Sequence, residues 1–168
     1  MEQTVTSSAT KGIVIALILI VLALISFFLD IDPQSGFQYI SYVIYIAGII
    51  WSVTLYGKQV DYNSTFGNYF AHGFKVAALV TCIMIIYIVI ILNLFPDMKE
   101  KAMDAAKKSM EAKGKMTEDQ INTALTMTRK FFMVFAIGTT LVGYLIFGAI
   151  SSLIGAGVTK KNPHPFEG

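Results

Sequence analysis

The chain has 168 residues, of which 55% are hydrophobic and only 14% charged, and its mean hydropathy is +0.63. Soluble domains carry about a quarter charged residues, so this composition predicts a membrane protein. The net charge of +2 is too small to favour nucleic-acid binding, and the single cysteine excludes an intramolecular disulfide or a cysteine-based metal site. That cysteine, Cys82, lies inside an apolar run and is interpreted as an inert buried thiol.

The first long apolar segment covers residues 12–29 and follows a polar tail, residues 1–10, that we expect to be disordered. Its 18 uncharged residues are about the length that crosses roughly 30 Å of hydrocarbon. The segment exceeds the apolar region of an ordinary signal peptide and ends without a small-residue cleavage site, so we interpret it as a retained span. In the turn that follows, Asp30 and Asp32 are interpreted as solvated residues, and a paired-carboxylate site is the alternative.

The second predicted span, residues 37–57, carries one stripe of small and hydroxyl-bearing side chains. Its members, at helical steps of three and four, are Ser41, Tyr45, Gly48, Ser52 and Tyr56. Such residues let membrane helices approach closely, so the stripe predicts a helix contact. The alternative is a polar lining for a ligand path.

The third predicted span, residues 74–95, is entered through an aromatic, glycine-containing segment, residues 64–75. Phe66, Phe70 and Phe74 recur on one face of this segment, which indicates an interfacial amphipathic helix. Asn68, His72 and Lys75 recur on another face and form a candidate contact for a lipid headgroup or another anion. The alternative is a lysine that extends to the headgroups beside a solvated histidine.

Residues 96–130 predict a helical hairpin outside the membrane. The stretch from Asp97 to Lys130 holds eight basic and six acidic residues, a mixture typical of solvated helix faces. Gly114 is a suitable helix end, and Thr117 with Gln120 predicts a capping box at the start of a second helix. The hairpin methionines are interpreted chiefly as filling between the helices, with an adaptable contact surface as the alternative. They are Met98, Met103, Met110, Met116 and Met127.

The fourth predicted span covers residues 131–158, and its second half repeats small residues at helical spacing. Gly148, Ser151, Ser152 and Gly155 fall at i, i+3, i+4 and i+7. Together with Gly48 and Ser52 on the second span, these residues predict buried helix contacts, either within the chain or with a partner.

Several of these motifs, taken in order, resemble a known family. They are a Ser-x-Phe-Gly-x-x-Phe-x-x-Gly-Phe entry to the third span (residues 64–74), an Asn-x-Phe-Pro-Asp exit (93–97), the charged insert, and the Gly-Ala-Ile-Ser-Ser ending that runs on to two lysines (148–161). The chain resembles the small bacterial membrane proteins of domain-of-unknown-function family 4199 over nearly its whole length. The resemblance implies a location in the bacterial envelope. It implies no enzymatic activity or catalytic residue, because the family has no assigned activity.

The sequence therefore predicts an all-α membrane protein, a single membrane domain over residues 1–168. It has four transmembrane helices with an extramembrane helical hairpin between helices 3 and 4. The favoured function is a non-enzymatic structural or accessory subunit of a bacterial inner-membrane assembly, because spans with small-residue faces are suited to packing. The alternative is a small carrier or lipid-binding protein that uses Asn68, His72 and Lys75. No catalytic residue, metal or cofactor is predicted. The expected partners are the bilayer and either a second membrane protein or another copy of the chain.

The orientation signals conflict. Lys11 before the first span, with Asp30 and Asp32 after it, favours a cytoplasmic amino terminus, whereas the eight basic residues of the hairpin favour the opposite. Because the first span usually dominates, we expect both termini to be cytoplasmic.

Overall fold

The computed structural model describes residues 5–31 and 36–161, except for the side chain of Gln38. Within these residues it contains six α-helices: α1 (Ser8–Phe28), α2 (Phe37–Gln59), α3 (Phe66–Leu94), α4 (Asp97–Lys113), α5 (Glu118–Lys130) and α6 (Phe132–Val158). Asp32 lies outside the described residues, so the paired-carboxylate alternative at that turn stays a sequence-based expectation.

Four of the helices are long and apolar enough to cross a membrane. They are α1, α2 from Tyr39 onward, α3 and α6. The all-α membrane fold with four spans is therefore confirmed, and α4 and α5 form the hairpin between the third span and the fourth. The segment before the third span is not a separate helix, because α3 is continuous from Phe66.

The first helix begins earlier than the sequence predicts. The Ser7 hydroxyl accepts a hydrogen bond from the Thr10 backbone N–H at 3.1 Å, which makes Ser7 the N-cap. The predicted disorder is therefore wrong for Ser8–Thr10, which are helical. As a result Lys11 lies in the first turn of a helix instead of ahead of it.

Two helices end in the same cap. Beyond α1, Asp30 has a φ of 49°, and beyond α2, Asp61 has a φ of 50°. After α2 the N–H of Asp61 donates to Lys58 O at 3.2 Å and the N–H of Tyr62 donates to Gly57 O at 2.8 Å. This is the Schellman pattern, with aspartate at the left-handed position that glycine usually takes. Asp30 therefore serves as a turn residue.

The chain divides into two compact units. Unit 1 comprises Met1–Met84 and Leu141–Gly168, and unit 2 comprises Ile85–Thr140. In unit 1 several close helix contacts lie at glycines, where an added Cβ atom would meet a neighbouring helix. A Cβ at Gly12 of α1 would lie 2.9 Å from Leu79 of α3, and one at Gly73 of α3 would lie 2.6 Å from Val53 of α2.

The small residues of α6 lie in these contacts. Gly148, Ser151, Ser152 and Gly155 are buried. A Cβ at Gly148 would lie 2.5 Å from Ala77 of α3, and one at Gly155 would lie 2.9 Å from Val53 of α2. On α2, Ser52 is fully buried, and a Cβ at Gly48 would lie 3.1 Å from Ile15 of α1. The contacts of these faces are therefore made within the chain.

Cys82 corrects one sequence-based interpretation, because its side chain is exposed on α3. An apolar run in a membrane helix surrounds the whole helix, since hydrocarbon is as apolar as a protein interior. Position within the run therefore does not indicate which side chains face the interior.

Unit 2 contains the hairpin, and its helix ends follow local sequence signals. Thr117 and Gln120 form the predicted capping box, and Gly114 ends α4 in the left-handed conformation with a φ of 58°. Met103 and Ile121 are buried between the two helices. An ion pair between Arg129 and Glu100 also joins them. The hairpin is therefore a defined pair of helices.

Candidate functional site

The most unusual polar group in unit 1 is a buried lysine. Lys11 is only 2% exposed, although lysine is among the residues least often found inside a protein. The N-cap at Ser7 places Lys11 on the side of α1 that faces α2 and α3. Its side chain ends among polar groups that belong to those two helices.

Three acceptors surround the Lys11 ammonium. Nζ lies 3.0 Å from Gln59 Oε1 and 3.4 Å from the Ser52 carbonyl oxygen, both on α2. It also lies 3.4 Å from His72 Nε2 on α3. An ammonium group has three N–H donors, so these contacts match its donor capacity. The bond to Gln59 is the shortest of the three.

His72 contacts the lysine through its ring. When Lys11 is an ammonium it can only donate, so His72 Nε2 then accepts in the 3.4 Å contact. The ring stacks on Tyr56, with centroids 4.2 Å apart and planes 4° apart. The Ser52 hydroxyl lies 3.4 Å from the same Nε2 atom. His72 is therefore held by α2 from two directions.

Gln59 connects the cluster to the residues before α1. Its Nε2 group donates to Thr6 Oγ1 at 2.8 Å, while its Oε1 accepts from Lys11. Both ends of the amide are thus bonded to the amino-terminal segment. The Tyr56 ring lies 5.7 Å from Lys11 Nζ and adds a cation–π contact.

These five residues, Lys11, Ser52, Tyr56, Gln59 and His72, form what we call the lysine cluster. Within residues 5–31 and 36–161, no acidic side chain forms an ion pair with Lys11. A buried cation without an anion costs several kcal/mol unless dipoles replace its water. The cluster supplies those dipoles and holds the first turn of α1 against α2 and α3.

The three residues predicted to contact a headgroup all lie on α3 and differ in exposure. Asn68 and Lys75 are exposed on α3, whereas His72 is half-buried and its contacts are with Lys11, Ser52 and Tyr56. The sequence analysis did not include Lys11 or Gln59 in a site. Two sequence signals could have found them. Gln59 lies three residues after Tyr56 and therefore continues the polar stripe of α2. Ser7 is a good N-cap residue, and a helix that begins after it would contain Lys11.

Exposed lysines gather at the same end of unit 1 as the lysine cluster. They are Lys58, Lys75, Lys160 and Lys161. This end is formed by the start of α1, the end of α2, the start of α3 and the end of α6, as the contact between Lys161 Nζ and the Phe66 ring shows. We call it the terminal end of unit 1.

Unit 2 carries a different surface feature. A groove along α5 is lined by Lys115, Met116, Asp119, Gln120, Thr123, Ala124 and Met127. Met116 is 42% exposed and Met127 is 62% exposed, whereas Met103 is buried inside the hairpin. Met103 therefore fills space between the two hairpin helices, whereas Met116 and Met127 lie on the surface.

The fold and these sites define a multi-pass, all-helical membrane protein with a charged helical insert before its last span. Residues 10–161 match the family model described as protein of unknown function DUF4199. The chain belongs to that family. No curated protein and no solved structure matches it.

Proposed function

We propose that this protein is a non-enzymatic accessory subunit of a bacterial inner-membrane assembly and that it contacts its partner through the hairpin. The observation that supports this role is the exposure of Met116 and Met127, which both line the α5 groove. Methionine is flexible and polarisable, and it is common on surfaces that adapt to a protein partner.

The small-residue faces of the spans support this role less than the sequence suggested. The faces of Gly148 and Gly155 meet α2 and α3 of the same chain, so their packing does not require a second protein. In the proposed assembly the spans hold the chain in the membrane, and the hairpin provides the recognition surface.

Binding of anionic lipid at the terminal end of unit 1 is the second candidate. Its support is the group of four exposed lysines at that end, since basic residues near helix ends attract anionic headgroups. Asn68 and Lys75 would belong to this surface. Lys11 would not, because its donors are bonded to Ser52, Gln59 and His72.

We also propose that the termini are cytoplasmic and the hairpin periplasmic. A cysteine at Lys113, the last residue of α4, in a Cys82→Ser background should react with a membrane-impermeant maleimide added to intact cells. Lys113 is exposed, so access to the reagent depends only on the side of the membrane. Reaction only after the cells are lysed would reverse the orientation.

The proposed role predicts a protein adduct at the α5 groove. A photoreactive amino acid at Met127 should crosslink to another protein when native membranes are irradiated. The control is the same amino acid at Lys108, an exposed position on α4 that does not line the groove. A partner seated on the groove gives an adduct at Met127 and little or none at Lys108. Equal yields at both positions would indicate random collision and would contradict the proposal.

A further inference from the structure

A small pocket lies at the base of the hairpin, and all the residues that line it belong to unit 2. Its volume is about 180 Å³. The last turn of α3, the first turn of α4, the last turn of α5 and the first turn of α6 form its walls. No charged residue occurs at positions 76–96 or 131–159 of the sequence, so the first charges beyond this end of α3 and α6 are those of the hairpin. The pocket therefore lies at the boundary between hydrocarbon and water.

Three of the side chains that line the pocket are cationic and none of them is acidic. The cations are Lys99, Arg129 and Lys130. Lys99 Nζ lies 5.7 Å from the centroid of the Phe132 ring, and Lys130 Nζ lies 5.5 Å from that of Phe131. A ring face orients an ammonium group without neutralising its charge. Among the residues that the structure describes, neither lysine forms an ion pair. These residues therefore leave two positive charges at the pocket without an anion.

The third cation also has donors to spare. Arg129 Nη2 pairs with Glu100 Oε2, and both side chains are more than half exposed. A guanidinium has five N–H donors in a planar fork that fits two oxygens of a phosphate group at once. The ion pair uses one of its nitrogens, so the other donors can bond an anion in the pocket.

The remaining walls of the pocket are apolar. Leu92, Phe132 and Met133 line it from the two spans, whereas the cations come from the hairpin. A phospholipid matches both parts, because its phosphate lies at the water boundary and its acyl chains begin just inside the hydrocarbon. The pocket is smaller than the roughly 300 to 1,000 Å³ of sites that enclose a drug-sized ligand, which suits a headgroup whose chains lie outside. Single lysines that extend to the headgroups need no shared pocket.

We propose that this pocket binds the phosphate of an anionic phospholipid. Lys99 and Lys130 supply the charge, and Arg129 supplies paired hydrogen bonds. Leu92 and Met133 contact the start of the acyl chains. Basic pockets between membrane helices are a known form of anionic lipid site. The site is distinct from the lysines at the terminal end of unit 1. It shares no lining residue with the α5 groove, so it does not depend on the proposed partner.

Photolabelling of the full chain in nanodiscs tests the site. The nanodiscs consist of zwitterionic phosphatidylcholine with a trace of a probe lipid that carries a diazirine near the start of one acyl chain. The probe is either a phosphatidylglycerol or a phosphatidylcholine, and its adducts are mapped by mass spectrometry. Labelling of residues 92–99 and 129–133 should favour the phosphatidylglycerol probe at least about 25-fold, since each basic residue near a lipid surface contributes about fivefold.

Charge-removing variants locate this preference. Lys99→Gln combined with Lys130→Gln should lower the ratio of the two labelling yields about 25-fold. Lys108→Gln combined with Lys113→Gln is the matched control, because both lysines are exposed on α4 and neither lines the pocket. Its ratio should stay within about twofold of the wild type. Lys130 is exposed, so Lys130→Gln alone leaves the interior intact and should lower the ratio about fivefold.

Three results would overturn the proposal. The first is equal labelling of the pocket by the two probes in the wild type, and the second is an unchanged ratio in the variant that lacks both Lys99 and Lys130. The third concerns free phosphate. Excess unlabelled phosphatidylglycerol should displace the probe, whereas inorganic phosphate at the same concentration should not, because it lacks chains that contact the apolar walls. Displacement by inorganic phosphate as complete as by the lipid would show that the pocket takes free phosphate.

Discussion

Replacement of Gly148 with leucine should lower the stability of the protein in detergent by about 1 to 3 kcal/mol, the range typical of overpacking. Even the first added carbon would lie 2.5 Å from Ala77 Cβ and 2.6 Å from the Tyr45 hydroxyl oxygen. Ala77 has no side-chain freedom with which to move away. Tyr45 is held by its hydrogen bond to the Tyr144 carbonyl oxygen at 2.8 Å, so its displacement would break that bond as well.

The matched control is Gly157→Leu on the same helix. A Cβ at Gly157 meets nothing within 4 Å, so the same change of residue adds a side chain on the exposed side of α6. We expect its melting temperature to stay within the error of the wild type or to rise, because leucine favours a helix over glycine. Equal melting temperatures for the two variants would show that Gly148 is not at a close helix contact.

Replacement of Gln59 with leucine should lower stability by about 1.5 to 3 kcal/mol, the usual contribution of a hydrogen bond to a charged group. The variant loses the 3.0 Å bond from Lys11 and the 2.8 Å bond to Thr6. The Lys11 ammonium would keep only its two longer contacts, at 3.4 Å, in a position that is 2% exposed. Thermal unfolding in detergent measures the loss.

Two controls separate the charge effect from a general effect of the substitution. Asn68→Leu makes a comparable change on the exposed face of α3 and should cost less than about 0.5 kcal/mol. Gln59→Glu keeps an acceptor for Lys11 and should retain most of the stability that Gln59→Leu loses. If Gln59→Leu and Asn68→Leu unfold at the same temperature, the ammonium does not depend on Gln59.

Local signals predicted the hairpin well. The cap at Thr117 and Gln120 and the left-handed Gly114 depend on backbone groups within a few residues, so they can be read from the sequence alone. The spans were also predictable, because their length is set by the thickness of the bilayer. The ends were less predictable: α1 begins four residues before residue 12, since Ser7 caps it and Lys11 finds partners inside the fold.

The orientation of side chains around each span was harder to predict. Small residues indicated the contact faces of α2 and α6, because only small side chains allow the backbones to approach closely. Apolar residues carried no such information, and Cys82 was therefore placed inside when it is exposed. In the lysine cluster Lys11 contacts residues that lie 41 to 61 positions further along the chain. Such pairings depend on how the helices pack, which sequence spacing does not encode.

The proposed role rests on a difference between the spans and the hairpin in how their contact surfaces are occupied. In unit 1 the small-residue faces and the lysine cluster are occupied by groups of the same chain. In unit 2 the groove of α5 leaves Met116 and Met127 exposed. A partner that recognises this protein should therefore meet the hairpin.

The most direct test compares photocrosslinking at Met127 with photocrosslinking at Leu153, an exposed position on α6. Each position carries the same photoreactive amino acid, and the adducts from irradiated native membranes are identified by mass spectrometry. The account predicts a discrete protein adduct at Met127 and mainly lipid adducts at Leu153. A protein adduct at Leu153 without one at Met127, or lipid adducts alone at both positions, would contradict an accessory role that acts through the hairpin.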